Sequence, residues 1–275
     1  MSFQSPLAPR STARVMFLVM AALNVAGSLC MDLAGPDVVG RVLSQSTKPF
    51  LMPLLALCLY VETRGRPEAG ADGFRPQSLY LALLFGWVGD VLLMLPDRLA
   101  SRLPLGAFAW GTGAFFLGHL CYIHVFLRGL TAAEVLRPSR LMYALPLLVY
   151  GYVLFLALDG FLGPMALPVA VYTGALLANG FAAYSRWSAH RALPASWCLL
   201  GALLFMQSDS ILAVNQFIFV QGQSRPMPLA NFAIMVTYLL GQFLLVHGSV
   251  LEAYGGTPAT AAPQPLLAGS AASRS

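Results

Sequence analysis

Charged residues are scarce in this sequence. Asp, Glu, Lys and Arg together make up only 10% of the 275 residues, whereas hydrophobic residues make up 58%. The mean hydropathy is +0.71. An ordinary soluble domain contains about 25% charged residues and fewer apolar ones. The scarcity of charge therefore excludes water as the main solvent and predicts a protein embedded in a membrane.

Paired cysteines and the common catalytic signatures are also missing. The four cysteines form no CxxC pair and lack the spacing of metal ligands, which argues against a disulfide framework or a zinc site. The sequence has no Gly-rich phosphate loop, no HExxH motif and no GxSxG elbow. These absences favour acid–base hydrolysis over serine or cysteine nucleophile chemistry.

Long apolar runs dominate what is present. About 20 apolar residues cross a bilayer as a helix, and eight runs approach or reach this length: 15–33, 49–61 with some preceding residues, 78–95, 105–127, 141–158, 164–184, 195–214 and 229–250. The sequence predicts an all-α polytopic bundle of eight transmembrane helices over 15–252. Disordered tails are expected at 1–14 and 253–275. The second run is the shortest, and losing it would place the termini on opposite faces.

Arginines are distributed unevenly between the two ends of these helices. If the helices alternate in direction, eleven of the 16 basic residues fall on the face that carries both termini. The positive-inside rule makes that face cytoplasmic. Because this orientation accounts for the net charge of +5, we expect no nucleic-acid partner. The Arg-, Ala- and Leu-rich usage favours a bacterial inner membrane.

Two acids stand out because they lie deep inside predicted helices. Asp90 is twelve residues into the third run and Asp209 fourteen into the seventh, roughly 18 Å and 21 Å from the cytoplasmic end. A carboxylate at such depth costs about 3 kcal/mol or more, so it faces protein or a water-filled cavity. Each aspartate could simply join helices by hydrogen bonds. If the two approach, however, repulsion and desolvation favour one protonated acid beside one carboxylate, a pair that donates and accepts protons.

Two polar residues lie near the outer ends of helices, at a depth close to these acids. Lys48, the only lysine, precedes Pro49 at the predicted start of the second helix, where proline is well tolerated. It is either an interfacial anchor that reaches water or a compact cation for an aspartate or a phosphate headgroup. Asn215 follows the seventh run and is a second candidate for binding substrate.

Further candidates for binding or orienting a substrate lie within the fourth and eighth runs. His119 lies near mid-span, and Tyr122 shares its helix face at the i+3 spacing. Tyr238 and Gln242 form an i,i+4 pair on one face of the last helix, positioned to orient water or a substrate oxygen. Structural hydrogen bonding between helices is an equal contender for these four side chains.

Five short segments resemble the YhhN-like lysoplasmalogenase family of integral membrane proteins. These segments are TKPFLMPLL at 47–55, GDVLL at 89–93, GHLCY at 118–122, GALLF at 201–205 and SDSILA at 208–213. The resemblance implies an eight-helix enzyme that hydrolyses the vinyl ether bond of lysoplasmalogen, with Asp90 and Asp209 in the family's two acidic motifs. It implies a lysophospholipid substrate and no cofactor, and it leaves the oligomeric state open.

The residues leave three functions open. One is the membrane hydrolase, in which Asp90, with its apolar neighbours Val91 and Leu92, is slightly favoured as the protonated acid. A proton-coupled transporter is the second, since intramembrane acids also mark proton relays. The third is a noncatalytic lipid-binding or scaffolding protein. Among these, the sequence lacks the second layer of acids and the obvious broken helices that would favour transport.

Overall fold

Helices make up most of the described part of this chain, because a backbone in hydrocarbon must satisfy its hydrogen bonds internally. The computed structural model describes residues 9–34, 38–66, 70–222 and 225–255, and these residues contain no β-strand. The long helices are α1 (Pro9–Ala34), α2 (Val38–Thr63), α3 (Gln77–Leu93), α4 (Gly106–Leu127), α5 (Ala144–Leu162), α6 (Ala166–His190), α7 (Leu193–Ala213) and α8 (Ala230–Tyr254). A π-helical segment, Val214–Val220, continues α7.

Seven stretches of the described chain are long and apolar enough to cross a membrane. One of them, Pro138–His190, has 53 residues and contains both α5 and α6. The predicted all-α architecture with several membrane helices is therefore confirmed. The number of apolar stretches is one fewer than the eight runs read from the sequence.

The first and last helices extend into the predicted tails. Helix α1 begins at Pro9, whereas the sequence predicted a tail through residue 14, and α8 continues to Tyr254. Packing explains the longer first helix, since Arg14 Nε donates to Glu62 Oε1 of α2 at 2.8 Å. The remaining parts of the predicted tails, 1–8 and 256–275, lie outside the described residues.

Helix α2 corrects the prediction that a helix starts near Lys48. It begins at Val38 and runs for 26 residues, so Lys48 and Pro49 lie inside it. Packing against α1 supports the extra turns, because Asn24 Nδ2 donates to Ser44 O at 2.8 Å and to Thr47 Oγ1 at 2.9 Å. Lys48 is consequently part of a helix interior and does not anchor a helix end.

Two prolines inside α2 leave backbone carbonyls without their usual partners. Pro53 has no N–H, so it cannot donate to the carbonyl of Pro49 four residues earlier. Trp87 of α3 supplies the missing donor, with its Nε1 at 2.9 Å from Pro49 O. This bond fixes α2 against α3 at the level where both helices carry candidate site residues.

Seven of the long helices pack in a ring. Going round it, α1, α2, α3, α4, α6, α7 and α8 each pack against the next, and α8 returns to α1. Helix α5 lies outside the ring, against α6 and the π-helical segment. Side chains that point into the ring are therefore brought together although their helices are distant in sequence.

Candidate active site

Asp90 lies inside the ring with both carboxylate oxygens engaged. Its residue surface is 2% exposed. Lys48 Nζ from α2 lies 3.2 Å from Oδ1, and the Tyr238 hydroxyl from α8 donates to Oδ2 at 2.8 Å. A buried carboxylate is tolerated when a cation and a hydrogen-bond donor satisfy it in this way. The structure thus unites three sequence candidates from three helices.

A hydrogen-bonded chain extends from this carboxylate across the ring. Gln242 Nε2 donates to the Tyr238 hydroxyl at 3.5 Å, and Tyr122 of α4 donates to Gln242 Oε1 at 2.5 Å. Tyr238 and Gln242 therefore lie on the same face of α8, as their i,i+4 spacing predicted. Gln242, itself held by Tyr122, therefore fixes the Tyr238 hydroxyl in the position from which it donates to Asp90.

Asp209 of α7 has a different set of partners. The Tyr172 hydroxyl of α6 donates to Oδ2, and His119 Nε2 of α4 lies 3.8 Å from the same oxygen. His119 Nε2 is also 3.2 Å from the Tyr172 hydroxyl. Within the described part of the chain, no hydrogen bond or ion pair falls on Asp209 Oδ1. One oxygen is thus held and the other is left to meet a ligand.

Two phenylalanine rings join the surroundings of the two acids. Phe115 packs edge-on against Tyr238 at 6.1 Å between ring centroids, and Phe205 does so at 5.3 Å. Phe205 also packs against His119 at 4.7 Å. Tyr238, which binds Asp90, and His119, which lies near Asp209, therefore both pack against the Phe205 ring.

The small residue before Asp90 makes this arrangement possible. A Cβ atom at Gly89 would lie 2.7 Å from Phe115 Cε2, too close for any side chain to fit without displacing the ring. The absence of a side chain at Gly89 therefore allows Phe115 of α4 to pack closely against α3. Ser208, the small residue before Asp209, instead donates to Ile234 O of α8 at 3.1 Å.

A narrow cavity lies beside Asp209, between α4, α5, α6 and α7. It leaves about 40 Å³ for water-sized molecules, enough for a few waters. Asp209 and Tyr172 are among its lining residues, and Asp90 is not. Most of the remaining wall is apolar, including Leu154 and Leu158 of α5.

Asn215 is the one sequence candidate that the structure places elsewhere. It lies in the π-helical segment, where its Oδ1 accepts a hydrogen bond from Met227 N at 2.9 Å. The side chain holds the following loop against the end of α7. Its expected role in binding substrate has no support from these contacts.

Sequence reasoning missed Tyr172, Phe115 and Phe205, because aromatic residues in apolar runs are usually packing groups. A signal for Tyr172 was nevertheless available. It lies six residues after Ala166, where α6 begins at the end that the arginine distribution predicts to be the outer one, so its depth from that end is about 9 Å. That depth matches the outer-half level deduced for Asp209.

Family comparison confirms the resemblance carried by the motifs. The model of the YhhN family matches residues 43–249, which include both aspartates and every partner described above. The chain belongs to the YhhN family. No solved structure matches this YhhN-family chain at a significant level.

Several relatives of this YhhN-family protein carry an enzyme name. "Lysoplasmalogenase TMEM86B" of Mus musculus is 34% identical over 191 residues, covering 69% of this chain and 70% of that protein. "Lysoplasmalogenase" of Mycobacterium tuberculosis is 30% identical over 194 residues, covering 67% of this chain and 64% of that protein. "Uncharacterized membrane protein YhhN" of Escherichia coli O157:H7 is 28% identical, covering 65% of this chain and 86% of that protein.

Proposed function

We propose that this YhhN-family protein hydrolyses the vinyl ether bond of a lysoplasmalogen, releasing a fatty aldehyde and glycerophosphoethanolamine or glycerophosphocholine. Relatives named lysoplasmalogenase support this substrate class. The observation that carries the mechanism is the unequal engagement of the two acids. Both oxygens of Asp90 are occupied, whereas the contacts of Asp209 fall on Oδ2 and the residue lines a cavity.

The reaction requires a proton donor and an activated water. A proton added to the β-carbon of the vinyl ether leaves an oxocarbenium ion at the carbon bonded to oxygen. Water then adds to this carbon and loses a proton, and the resulting hemiacetal collapses to aldehyde and alcohol. The net change is the addition of one water molecule. The chemistry parallels glycoside hydrolysis, in which one carboxylic acid donates a proton and a second carboxylate stabilises the cation or activates water.

We assign the proton donor to Asp209, which lines the cavity, and an indirect role to Asp90, whose negative charge stabilises the cation although Asp90 does not line the cavity. Sequence reasoning slightly favoured the opposite assignment because Asp90 has apolar neighbours. Against those neighbours, Lys48 Nζ lies 3.2 Å from Asp90 Oδ1, and an adjacent cation favours the ionised form of a carboxyl group. Asp209 has an oxygen left to meet the substrate, and Tyr172 and His119 hold the other one in place. Tyr172 and His119 therefore position the donor.

The cavity supports the same substrate class. Its mostly apolar wall suits the aliphatic chain of the lysolipid, and Asp209 in that wall is the group that would meet the vinyl ether. It is too narrow for that chain as it stands, so binding requires it to widen. Helix α5 contributes Leu154 and Leu158 and lies outside the ring, which makes it the element able to move without breaking the ring. We propose lateral entry from the bilayer beside α5.

We also propose eight membrane crossings with both termini in the cytoplasm. The 53 residues of Pro138–His190 would extend about 80 Å as a helix, more than twice the roughly 30 Å of bilayer hydrocarbon. They contain two helices that pack against each other, so this stretch crosses twice. The excess of arginines at the end carrying the termini then gives the orientation. A bacterial inner membrane is the location that we propose.

The test is product analysis with matched lysolipids. Purified protein receives a lysoplasmalogen, the ester analogue and the saturated ether analogue, and products are measured by mass spectrometry. We expect aldehyde from the vinyl ether alone. Asp209→Asn and Asp90→Asn should each abolish release, while Asp159→Asn, which alters an exposed acid of α5, should retain it. Full activity in a folded Asp209→Asn protein would refute the mechanism, and proton-linked transport without turnover would refute the function.

A further inference from the structure

A second polar region lies at the opposite end of the bundle from Asp90. There the start of α3 meets the end of α4, and a cavity of about 410 Å³ lies between them. We call it the basic pocket, and it is lined by Gly73, Phe74, Arg75, Gln77, Ser78, His124, Val125 and Arg128. It shares no lining residue with the cavity beside Asp209.

Arg128 is a buried cation in the wall of the basic pocket. Its side chain is 6% exposed, its Nη2 lies 3.0 Å from Glu252 Oε2, and its guanidinium lies over the Phe74 ring at 5.0 Å. Its Nε is buried and has no hydrogen-bond partner among the described residues. A buried N–H without an acceptor is destabilising, so this position favours an incoming acceptor.

Cations outnumber anions around the basic pocket. Arg186 lies 2.6 Å from both Glu252 and Asp72, so Glu252 is shared between Arg128 and Arg186 and Asp72 is already paired with Arg186. Arg75 adds a further positive charge at the exposed side of the pocket. Three arginines thus face two carboxylates, which leaves a net positive charge for an anionic ligand.

The backbone at the start of α3 adds donors of the same kind. Gln77 and Ser78 form the first turn of this 17-residue helix and line the pocket, and no acidic residue lies in that turn. The first N–H groups of a helix lack partners within the helix, and phosphate groups bind to them readily. Arginine, with its planar fork of donors, suits the same ligand.

We propose that the basic pocket binds a phosphate group, namely that of a membrane phospholipid headgroup at this face of the bilayer. The pocket does not serve the phosphate of the lysolipid under hydrolysis. Ser78 and Asp90 are twelve residues apart on α3, about 18 Å. The three-carbon glycerol link between a vinyl ether and its phosphate is much shorter than that.

The test measures binding to the full-length protein in a neutral sugar detergent. The probes are phosphatidylglycerol with two six-carbon chains and, separately, inorganic phosphate. Binding is followed by native mass spectrometry and by the shift in melting temperature. Arg75→Gln is the test variant, because Arg75 is exposed and stands apart from the ion pairs of Arg186. Arg64→Gln is the control, since it removes an exposed arginine near the end of α2 outside the pocket.

We expect Arg75→Gln to weaken binding of the short-chain lipid about tenfold, the loss typical of one charge-assisted hydrogen bond. Arg64→Gln should bind as the unmodified protein does. Inorganic phosphate that binds with the same dependence on Arg75 would identify phosphate itself as the ligand, and binding of the lipid alone would assign the headgroup. Equal binding by Arg75→Gln and the unmodified protein, or no binding of either probe, would overturn the proposal. Aldehyde release should not change in Arg75→Gln.

Discussion

The ammonium group of Lys48 lies 3.2 Å from Asp90 Oδ1 inside the helix ring, where the two side chains are 18% and 3% exposed. Removing one member of a buried ion pair leaves an uncompensated charge, whereas removing both does not. This relationship separates the contribution of the pair to stability from its contribution to activity.

Lys48→Met should therefore destabilise the protein by about 3 kcal/mol and lower kcat/KM for lysoplasmalogen about 100-fold or more. The double variant Lys48→Met with Asp90→Asn should recover most of the stability and none of the activity. Denaturant titration in detergent and the aldehyde assay measure the two quantities. If Lys48→Met alone were as stable as the unmodified protein, Lys48 and Asp90 would not form a buried ion pair.

Tyr172→Phe tests the positioning of Asp209. The change removes the hydroxyl that donates to Asp209 Oδ2 and keeps the ring. We expect kcat to fall about 10- to 100-fold, because a proton donor that is no longer held in place reacts more slowly, with little change in KM. Tyr152→Phe is the matched control, because Tyr152 is 64% exposed on α5. Equal kcat values for the two variants would remove Tyr172 from the mechanism.

Gly89→Ala tests the packing of Phe115 behind the site. The new methyl group would meet the Phe115 ring at 2.7 Å, so we expect a loss of about 1–3 kcal/mol in unfolding free energy and reduced activity. A second change, Phe115→Leu, should recover stability by making room. Gly113→Ala on α4 is the control, since nothing lies within 4 Å of its Cβ position. Stability measured by thermal unfolding should separate the two alanine variants clearly.

Trp87→Phe tests the bond that replaces a missing helix hydrogen bond. Loss of the donor to Pro49 O should cost about 1 kcal/mol. In a Pro53→Ala background the cost should become smaller, because alanine provides the N–H that can reach the same carbonyl. A double-mutant cycle on unfolding free energies measures this coupling. Additive effects would mean that the carbonyl does not depend on Trp87.

Sequence reasoning singled out the two acids because membrane depth restricts where an aspartate can lie, and both lie within long helices of the structure. It also identified Tyr238 and Gln242 as one face, since i,i+4 spacing fixes a shared direction on a helix. It could not find which residues of other helices meet that face. The link from Asp90 to Asp209 through Phe115 and Phe205 depends on how helices pack in the ring, and an apolar run carries no signal for it.

The helix start expected near Lys48 was wrong for a local reason. A proline usually marks the first turn of a helix, but Pro49 and Pro53 are tolerated inside α2 because a tryptophan from α3 donates to a carbonyl that has lost its usual partner.

For Arg128 and Arg186, too, the sequence indicated only part of what the structure shows. Counting them as cytoplasmic charge gave an orientation, yet their buried pairing with Glu252 could be known only from the packed ends of α4, α6 and α8.

Helix α8 supplies Tyr238 to Asp90 and packs against both α1 and α7, so the last helix closes the ring that the first one opens. During synthesis the two acids enter the bilayer before that closure takes place. A partly inserted chain therefore holds Asp90 without its tyrosine and should be inert toward lipid. We therefore expect activity to require the docking of the last helix onto α1 and α7.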